Sequence, residues 1–396
     1  MSNMFSRTDK TVWGRWWWTI DRRMLGVVIS LMVIGVLMVA AASPPVATRI
    51  GLPQFYFITH HIMVLIPSFL VMVAISLCDL RTLWRVSTII LGAGLLAMLV
   101  VLLTGMEIKG AQRWLQLPGF SLQPSEFVKP AFAVVAAWFI SKQKDRPEFP
   151  GYMITGGIFF VIIALLLMQP DVGMSIVMFC VLCAEVFLAG FPIWIMIGAG
   201  AVGVGVFIAG YFTMAHMRTR IDRFLDPGHN DTFQIDKAMD AFRHGGLFGT
   251  GPGQGTVKLT IPDAHADFVF AVAGEELGFV FLGLLLLLFA YIILRGLNRV
   301  MDSDNLFVIL ATGGLLVEFG IQAMVHISSN LHLIPTKGMT LPFISYGGSS
   351  LLAVSVTMGM VLALTRRLPK TSISRSSPAA RLGMGGGHGG TGLTQV

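Results

Sequence analysis

Asp267 is the residue in this sequence best suited to proton transfer. It lies in AHADFVFAVAGEELGF, residues 264–279, at the mouth of a long apolar run. Water and a polar headgroup can reach that position. Glu275 and Glu276 follow deeper in the same run. Carboxylates inside a membrane segment are costly to hold and are candidates for function. Nine residues of straight helix turn through about 900°, which would point Asp267 and Glu276 in opposite directions. They do not read as an acid–base pair unless the segment begins as a loop. Asp267 is the expected catalyst. Glu275 and Glu276 are expected to pair with a buried Lys or Arg, or to bond polar groups within a bundle.

Four further clusters carry polar chemistry. MRTRIDRFLDP supplies Arg218, Arg220 and Arg223 ahead of an Asp226-Pro227 turn. Guanidinium groups bind phosphate through a planar fork, so this cluster suits an anionic headgroup such as a lipid pyrophosphate, or ordinary phospholipid. GGLFGTGPGQGTVK, residues 245–258, has glycines at 245, 246, 249, 251, 253 and 255. It predicts a bent loop with exposed backbone N–H groups, and it lacks the GK[ST] of a phosphate-binding P-loop. IKGAQRWLQLPGFSLQPSEFVKP, residues 108–130, contains Lys109, Arg113 and Ser125, and Glu126 and Lys129 at a spacing that lets them pair on one helix face. A satisfied pair at the helix entry and a substrate role both fit them. LHLIPTKGMTLPFISYGGSSLL, residues 331–352, holds prolines and glycines that forbid a continuous helix, and it offers Lys337. Non-helical backbone at membrane depth lines a cavity or is buried in protein. His216, His265 and His326 have no zinc-site spacing. Cys180-x-x-Cys183 sits in an apolar run and reads as membrane core rather than a redox or metal pair.

These residues need a scaffold, and the composition says which kind. The chain has 396 residues, 55% hydrophobic and only 12% charged, with mean hydropathy +0.76. Soluble domains carry about a quarter charged residues, and disorder needs low hydrophobicity. The expected fold is an all-α polytopic membrane protein. Ten apolar runs are long enough to span or nearly so, near 24–43, 58–78, 84–104, 125–141, 152–168, 172–190, 192–212, 267–294, 305–328 and 349–365. Residues 1–23 form an N-terminal segment, 24–368 the membrane domain, and 369–396 a Gly/Ser-rich tail expected to be disordered. Net charge is +7. Most Lys and Arg fall on the side shared by both termini, which predicts that both are cytoplasmic, so the basic balance reflects orientation and not nucleic acid. The exception is the large outer connection from 213 to 266, rich in both charges. A loop of this size is usually functional.

The blocks GAQRW…QPSEFVKP (110–130), QPDVG (169–173), RFLDP…GGLFGTGPGQG…K (223–258), HADFVFAVAGEELG (265–278) and PTKGMTLPFISYGGSS (335–350) resemble the SEDS proteins (shape, elongation, division and sporulation) over residues 20–368. PTKGMTLP resembles the division branch of that family more than the elongation branch. The resemblance implies ten transmembrane helices with a large extracytoplasmic loop before the eighth. It implies a peptidoglycan glycosyltransferase that joins lipid II into β-1,4 glycan strands. It places the family's aspartate on Asp267, its loop arginine on Arg223, and its helix-four pair on Glu126 and Lys129. The paired glutamates fall on Glu275 and Glu276, and the later lysine and serine on Lys337 and Ser345. His265 and Gln322 are expected to support the site. Two departures stand out: Ala266 replaces a hydroxyl residue before the aspartate, and His326 replaces an Asn four residues after Gln322.

The implied reaction inverts at the donor sugar, so one base suffices: Asp267 would take the acceptor proton, and Arg218, Arg220, Arg223 and Lys337 would hold the leaving pyrophosphate. No cofactor is required by this chemistry, although a divalent cation would assist the phosphates. The expected partners are lipid II, a class B penicillin-binding protein (the septal transpeptidase) and divisome regulators. The expected location is the bacterial inner membrane at the division septum. A lipid II flippase without chemistry, and a pure scaffold for division proteins, are the alternatives from other functional classes.

Overall fold

The computed structural model describes residues 11–105, 112–117, 120–213, 218–219, 221–222, 224, 233–335 and 338–366. The expected tail 369–396 and the candidate residues Arg220, Arg223 and Lys337 lie outside the described residues. The helices are α1 Val12–Thr19, α2 Arg22–Arg49, α3 Tyr56–Ser76, α4 Leu80–Thr104, α5 Pro124–Asp145, α6 Gly151–Met168, α7 Val172–Leu188, α8 Ile193–Thr213, α9 Phe233–Gly245, α10 Val269–Val300, α11 Leu306–Asn330 and α12 Gly348–Leu364. Between α4 and α5 a short antiparallel hairpin pairs β1 Leu115–Leu117 with β2 Phe120–Leu122.

Each of the ten expected runs is helical. Among the described residues, α2, α3, α4, α6, α8, α10 and α11 are long and apolar enough to cross a membrane, and α7 and α12 are apolar but shorter. α5 carries Glu126, Lys129, Lys142, Lys144 and Asp145, too many charges for a simple hydropathy reading. It is nonetheless among the most buried helices of the bundle. The chain is a multi-pass helical membrane protein.

Local chemistry sets where helices begin. Asp21 caps α2, its carboxylate accepting the N–H groups of Arg23 and Met24 at 3.1 and 3.2 Å. The same carboxylate pairs with Arg295 at 2.9 Å and Arg299 at 3.6 Å at the far end of α10. Burial alone would raise the Asp21 pKa, but the Met24 N–H and the two guanidiniums outweigh it and hold the carboxyl below its ordinary value. Asp79 and Asp171 cap α4 and α7 in the same way. Pro124 occupies the first turn of α5, where its missing N–H costs nothing.

α11 is the central post. It packs on α5, α7, α10 and α12. α3 packs on α12 and α2, and α4 packs on α5. α9 lies against the first turns of α10, so the large connection before α10 is anchored to the bundle at its second half.

Candidate active site

The Asp267 segment does begin as a loop. Residues 262–267 are turns and α10 starts at Val269, so the rotational objection to a shared pocket no longer applies. Asp267 is half-buried. Its N–H donates to the Asp263 carbonyl at 3.0 Å, and its own carbonyl accepts from the Asn330 side chain at 2.8 Å. A Cβ placed on Gly338 would lie 3.6 Å from both carboxylate oxygens of Asp267, so the 338–346 segment runs directly beside this carboxylate.

That segment gathers most of the described candidates. Gln322 donates to the Thr340 carbonyl at 3.1 Å and hydroxyl at 3.3 Å. Its carbonyl accepts from Lys129 at 2.7 Å. Lys129 pairs with Glu126 at 2.9 Å, and both are buried. The Ser345 hydroxyl accepts the Leu341 N–H at 2.9 Å and closes the turn. Tyr346 donates its N–H to the His265 carbonyl at 2.9 Å. The His265 ring lies 4.2 Å from Phe57 and 5.1 Å from Tyr346 between ring centres. Burial pulls this imidazole down to about 4, with Asp263 acting weakly the other way. Burial, with Tyr56 adding to it, pushes the Tyr346 phenol up to about 12.

Glu275 and Glu276 belong to a different construction. Gly278 (φ 76°) breaks α10, a backbone conformation that favours glycine. The freed carbonyls of Glu275 and Glu276 accept the N–H groups of Thr250 and Gly251 at 2.9 and 3.0 Å. Beyond the break, the N–H groups of Phe279 and Val280 donate to the carbonyls of Gly246 and Leu247 at 3.0 and 3.1 Å. The glycine loop thus completes the interrupted helix. A Cβ on Gly249 would collide with the Glu276 carbonyl, which is why that position is glycine. The side chains finish the work. Glu275 accepts N–H groups from Thr256, Val257 and Lys258 at 2.7, 2.7 and 2.8 Å, and bonds His244 at 2.9 Å. Glu276 accepts the Gly253 N–H at 3.0 Å and pairs with the Lys258 ammonium. Lys258 also donates to the Ala41 carbonyl at 2.9 Å, a carbonyl that Pro45 cannot use. The buried cation expected for these glutamates is Lys258.

Arg218 is exposed and lies 3.7 Å from Asp222, whose other oxygen accepts from Tyr211 at 2.8 Å. Phe224 packs edge-on against His332 at 5.0 Å, just beyond Asn330. Arg113 donates to the Gln169 carbonyl at 3.1 Å and to Pro170, and pairs with Asp171 at 3.6 Å. QPD therefore forms a corner locked by Arg113. Among the described residues, no three His, Cys, Asp or Glu side chains converge as metal ligands. Sequence reasoning did not single out Asn330, Glu185 or Glu318. Asn330 could have been found by its four-residue spacing from His326 and Gln322.

The fold and this site define a multi-pass helical membrane protein with a half-buried carboxylate beside a non-helical, largely buried segment. The chain matches the cell cycle protein family FTSW_RODA_SPOVE over residues 21–370, and it belongs to that family. It is 43% identical to "Probable peptidoglycan glycosyltransferase FtsW" of Caulobacter vibrioides (strain NA1000 / CB15N), over 93% of this chain and 95% of the relative. It is 32% identical to the protein of the same name from Escherichia coli O6:H1, over 87% and 85%. The fold is similar to that of a chain in a solved structure titled "Structural coordination of polymerization and crosslinking by a peptidoglycan synthase complex" (TM-score 0.73, 26% identity, 87% of this chain and 97% of that one). It is also similar to the crystal structure of the Thermus thermophilus rod shape determining protein RodA (TM-score 0.66, 24% identity, 88% and 97%).

Proposed function

We propose that this protein is a peptidoglycan glycosyltransferase that polymerises lipid II for the septal cell wall, with Asp267 as general base. The placement of Asp267 carries the reading. It is a half-buried carboxylate in a turn fixed from both sides, beside Gly338, in a chain whose relatives bear that activity in their names. The acceptor's GlcNAc 4-OH attacks C1 of the donor's MurNAc. The O4–C1 bond forms as the bond from C1 to the pyrophosphate breaks. Asp267 takes the hydroxyl proton, and undecaprenyl pyrophosphate leaves with the bonding electrons. The α-linked donor becomes a β-1,4 glycan, so no covalent enzyme intermediate is needed.

Arg218, Arg220, Arg223 and Lys337 would neutralise the leaving pyrophosphate. The packing of Phe224 on His332, next to the helix end that holds Asp267, supports bringing that arginine-rich stretch to the base. Glu126, Lys129, Gln322, Ser345 and His265 would shape the floor of the site. No step is routed through a metal ion. Ten crossings, cytoplasmic termini and a class B penicillin-binding protein as crosslinking partner complete the proposal. The partner is supported by the fold shared with a chain of a polymerising and crosslinking complex.

The test uses purified protein with its partner and labelled lipid II, with glycan length read on a gel. Asp267→Asn is expected to lower polymer formation by at least about a hundredfold, the scale of removing a general base. Equal polymer from both proteins would remove Asp267 from this role. Leaflet transfer of lipid II without polymer would favour the flippase.

A further inference from the structure

Three side chains on one face of α11 hold the two backbone segments that meet at Asp267. Gln322, His326 and Asn330 follow one another at four-residue spacing, which stacks them on a single helix face. All three are essentially fully buried. Asn330 donates to the Asp267 carbonyl at 2.8 Å and to the His326 carbonyl at 3.0 Å. His326 reaches the Met339 carbonyl through Nδ1 at 2.7 Å. A carbonyl only accepts, so Nδ1 carries the hydrogen. Gln322 takes the Thr340 carbonyl and also receives Lys129. The two segments also bond directly, the Tyr346 N–H donating to the His265 carbonyl at 2.9 Å. Around Asp267 each is hung from α11 as well, and a Cβ on Gly338 would lie 3.6 Å from the Asp267 carboxylate oxygens.

A ladder of this kind fixes a distance. The 338–340 segment carries no helix of its own, so its backbone groups must be satisfied by side chains. If His326 is lost, Met339 keeps a buried carbonyl without that donor, and if Asn330 is lost the Asp267 carbonyl does, so either segment can shift along α11. Catalysis by a general base depends steeply on such placement, where a displacement of about 1 Å can cost about a hundredfold.

We propose that His326 and Asn330 are positioning residues, which set Asp267 against the 338–340 segment and so define the space where the acceptor hydroxyl meets the base. The inference rests on the reading of Asp267 as the general base. Its anchoring part can be tested without turnover.

The experiment compares wild type, His326→Leu, His326→Asn and Asn330→Ala, each with its partner in lipid nanodiscs. Asn carries its amide nitrogen as many bonds from Cβ as imidazole Nδ1, so His326→Asn can restore the bond to Met339. Three readouts are taken: kcat and KM for lipid II, hydrogen exchange of peptides covering 338–346, and the melting temperature. His326→Leu and Asn330→Ala are expected to lose about tenfold or more in kcat with KM nearly unchanged. Exchange at 338–346 should rise in both, and His326→Asn should recover most of both signals. Unchanged kcat in the Leu and Ala variants overturns the proposal. So does a loss that follows the melting temperature and that Asn fails to rescue. If wild type makes no polymer, the functional reading fails on its own, and the exchange data still decide whether these side chains anchor the segment.

Discussion

Among the buried carboxylates of the described residues, two sets of two are held in opposite ways. Glu275 and Glu276 sit at the kink of α10 with their oxygens filled by backbone N–H groups, His244 and the Lys258 ammonium. Glu185 on α7 and Glu318 on α11 are as deeply buried. Among the described residues, neither oxygen of Glu185 has a hydrogen-bond partner, and Glu318 meets only the Thr357 hydroxyl, at a long 3.5 Å. Glu185 is wedged against Gly314, where a Cβ would strike its carboxylate. The first pair is the framework of a loop, because every donor it uses is supplied by local chain folded around it. The second pair has no such loop, since it faces helices whose N–H groups are already spent. A carboxylate within a membrane segment is therefore not by itself a mark of chemistry. What surrounds it decides.

The largest expected effect tests the saturated pair. Breaking a buried ion pair by removing one partner strands the other charge. Glu276→Ala or Lys258→Met is therefore expected to lower unfolding free energy by about 3–5 kcal/mol. The loss would appear in denaturant melts in detergent. The double variant Lys258→Met with Glu276→Leu should lose clearly less than the sum of the two single variants, because it leaves no unpaired charge. Additive losses would mean that the two side chains do not act as a pair.

A smaller effect of opposite sign is expected for the other pair. Glu185→Met keeps an unbranched chain of similar length and removes two buried oxygens that lack partners. It should gain about 1 kcal/mol in the same melts. A loss of stability would break the comparison, since it would show that the Glu185 carboxyl is satisfied after all. A gain in stability with a fall in polymer formation would sharpen it, by showing that an unsatisfied group is kept for function.

The sequence shows one of these pairs and hides the other for physical reasons. Ten apolar runs are visible because a lipid core demands about 20 apolar residues in succession. The Glu126–Lys129 pair is visible because both residues lie on one helix within a turn. Glu275 and Glu276 stand out as adjacent acids, yet Lys258 does not announce itself as their partner. It lies 17 and 18 residues away, and only the glycine turns at 249, 251 and 253 bring it back. A single Glu185 or Glu318 barely lowers the mean of an apolar window. The readable sign was periodic: Glu318, Gln322, His326 and Asn330 recur every four residues on α11, drifting about 120° in all. Such spacing on a buried helix places polar groups on one inward face.

The smallest effect concerns His265, which lies between the two extremes. Among the described residues its Nδ1 is buried without a partner, yet its backbone carbonyl is tied to Tyr346. Tyr346 in turn bonds His60 at 3.1 Å. Burial lowers the imidazole from an ordinary 6.5 to about 4. Between those values the unfolded chain binds a proton that the folded one refuses, so folding stability rises with pH across that window. The contribution is complete above pH 6.5 and declines as the pH falls toward 4. His265→Phe preserves the ring against Phe57 and Tyr346 and removes the titrating nitrogen. Its melting temperature should therefore depend less on pH than that of wild type over this window. Aligned at neutral pH, the two curves should separate toward the acid end, with wild type falling below the variant, and differ most in slope near the middle of the window. Parallel curves would mean that water reaches the ring, and that the aromatic wall of Phe57 and Tyr346 does not shield the segment leading to Asp267.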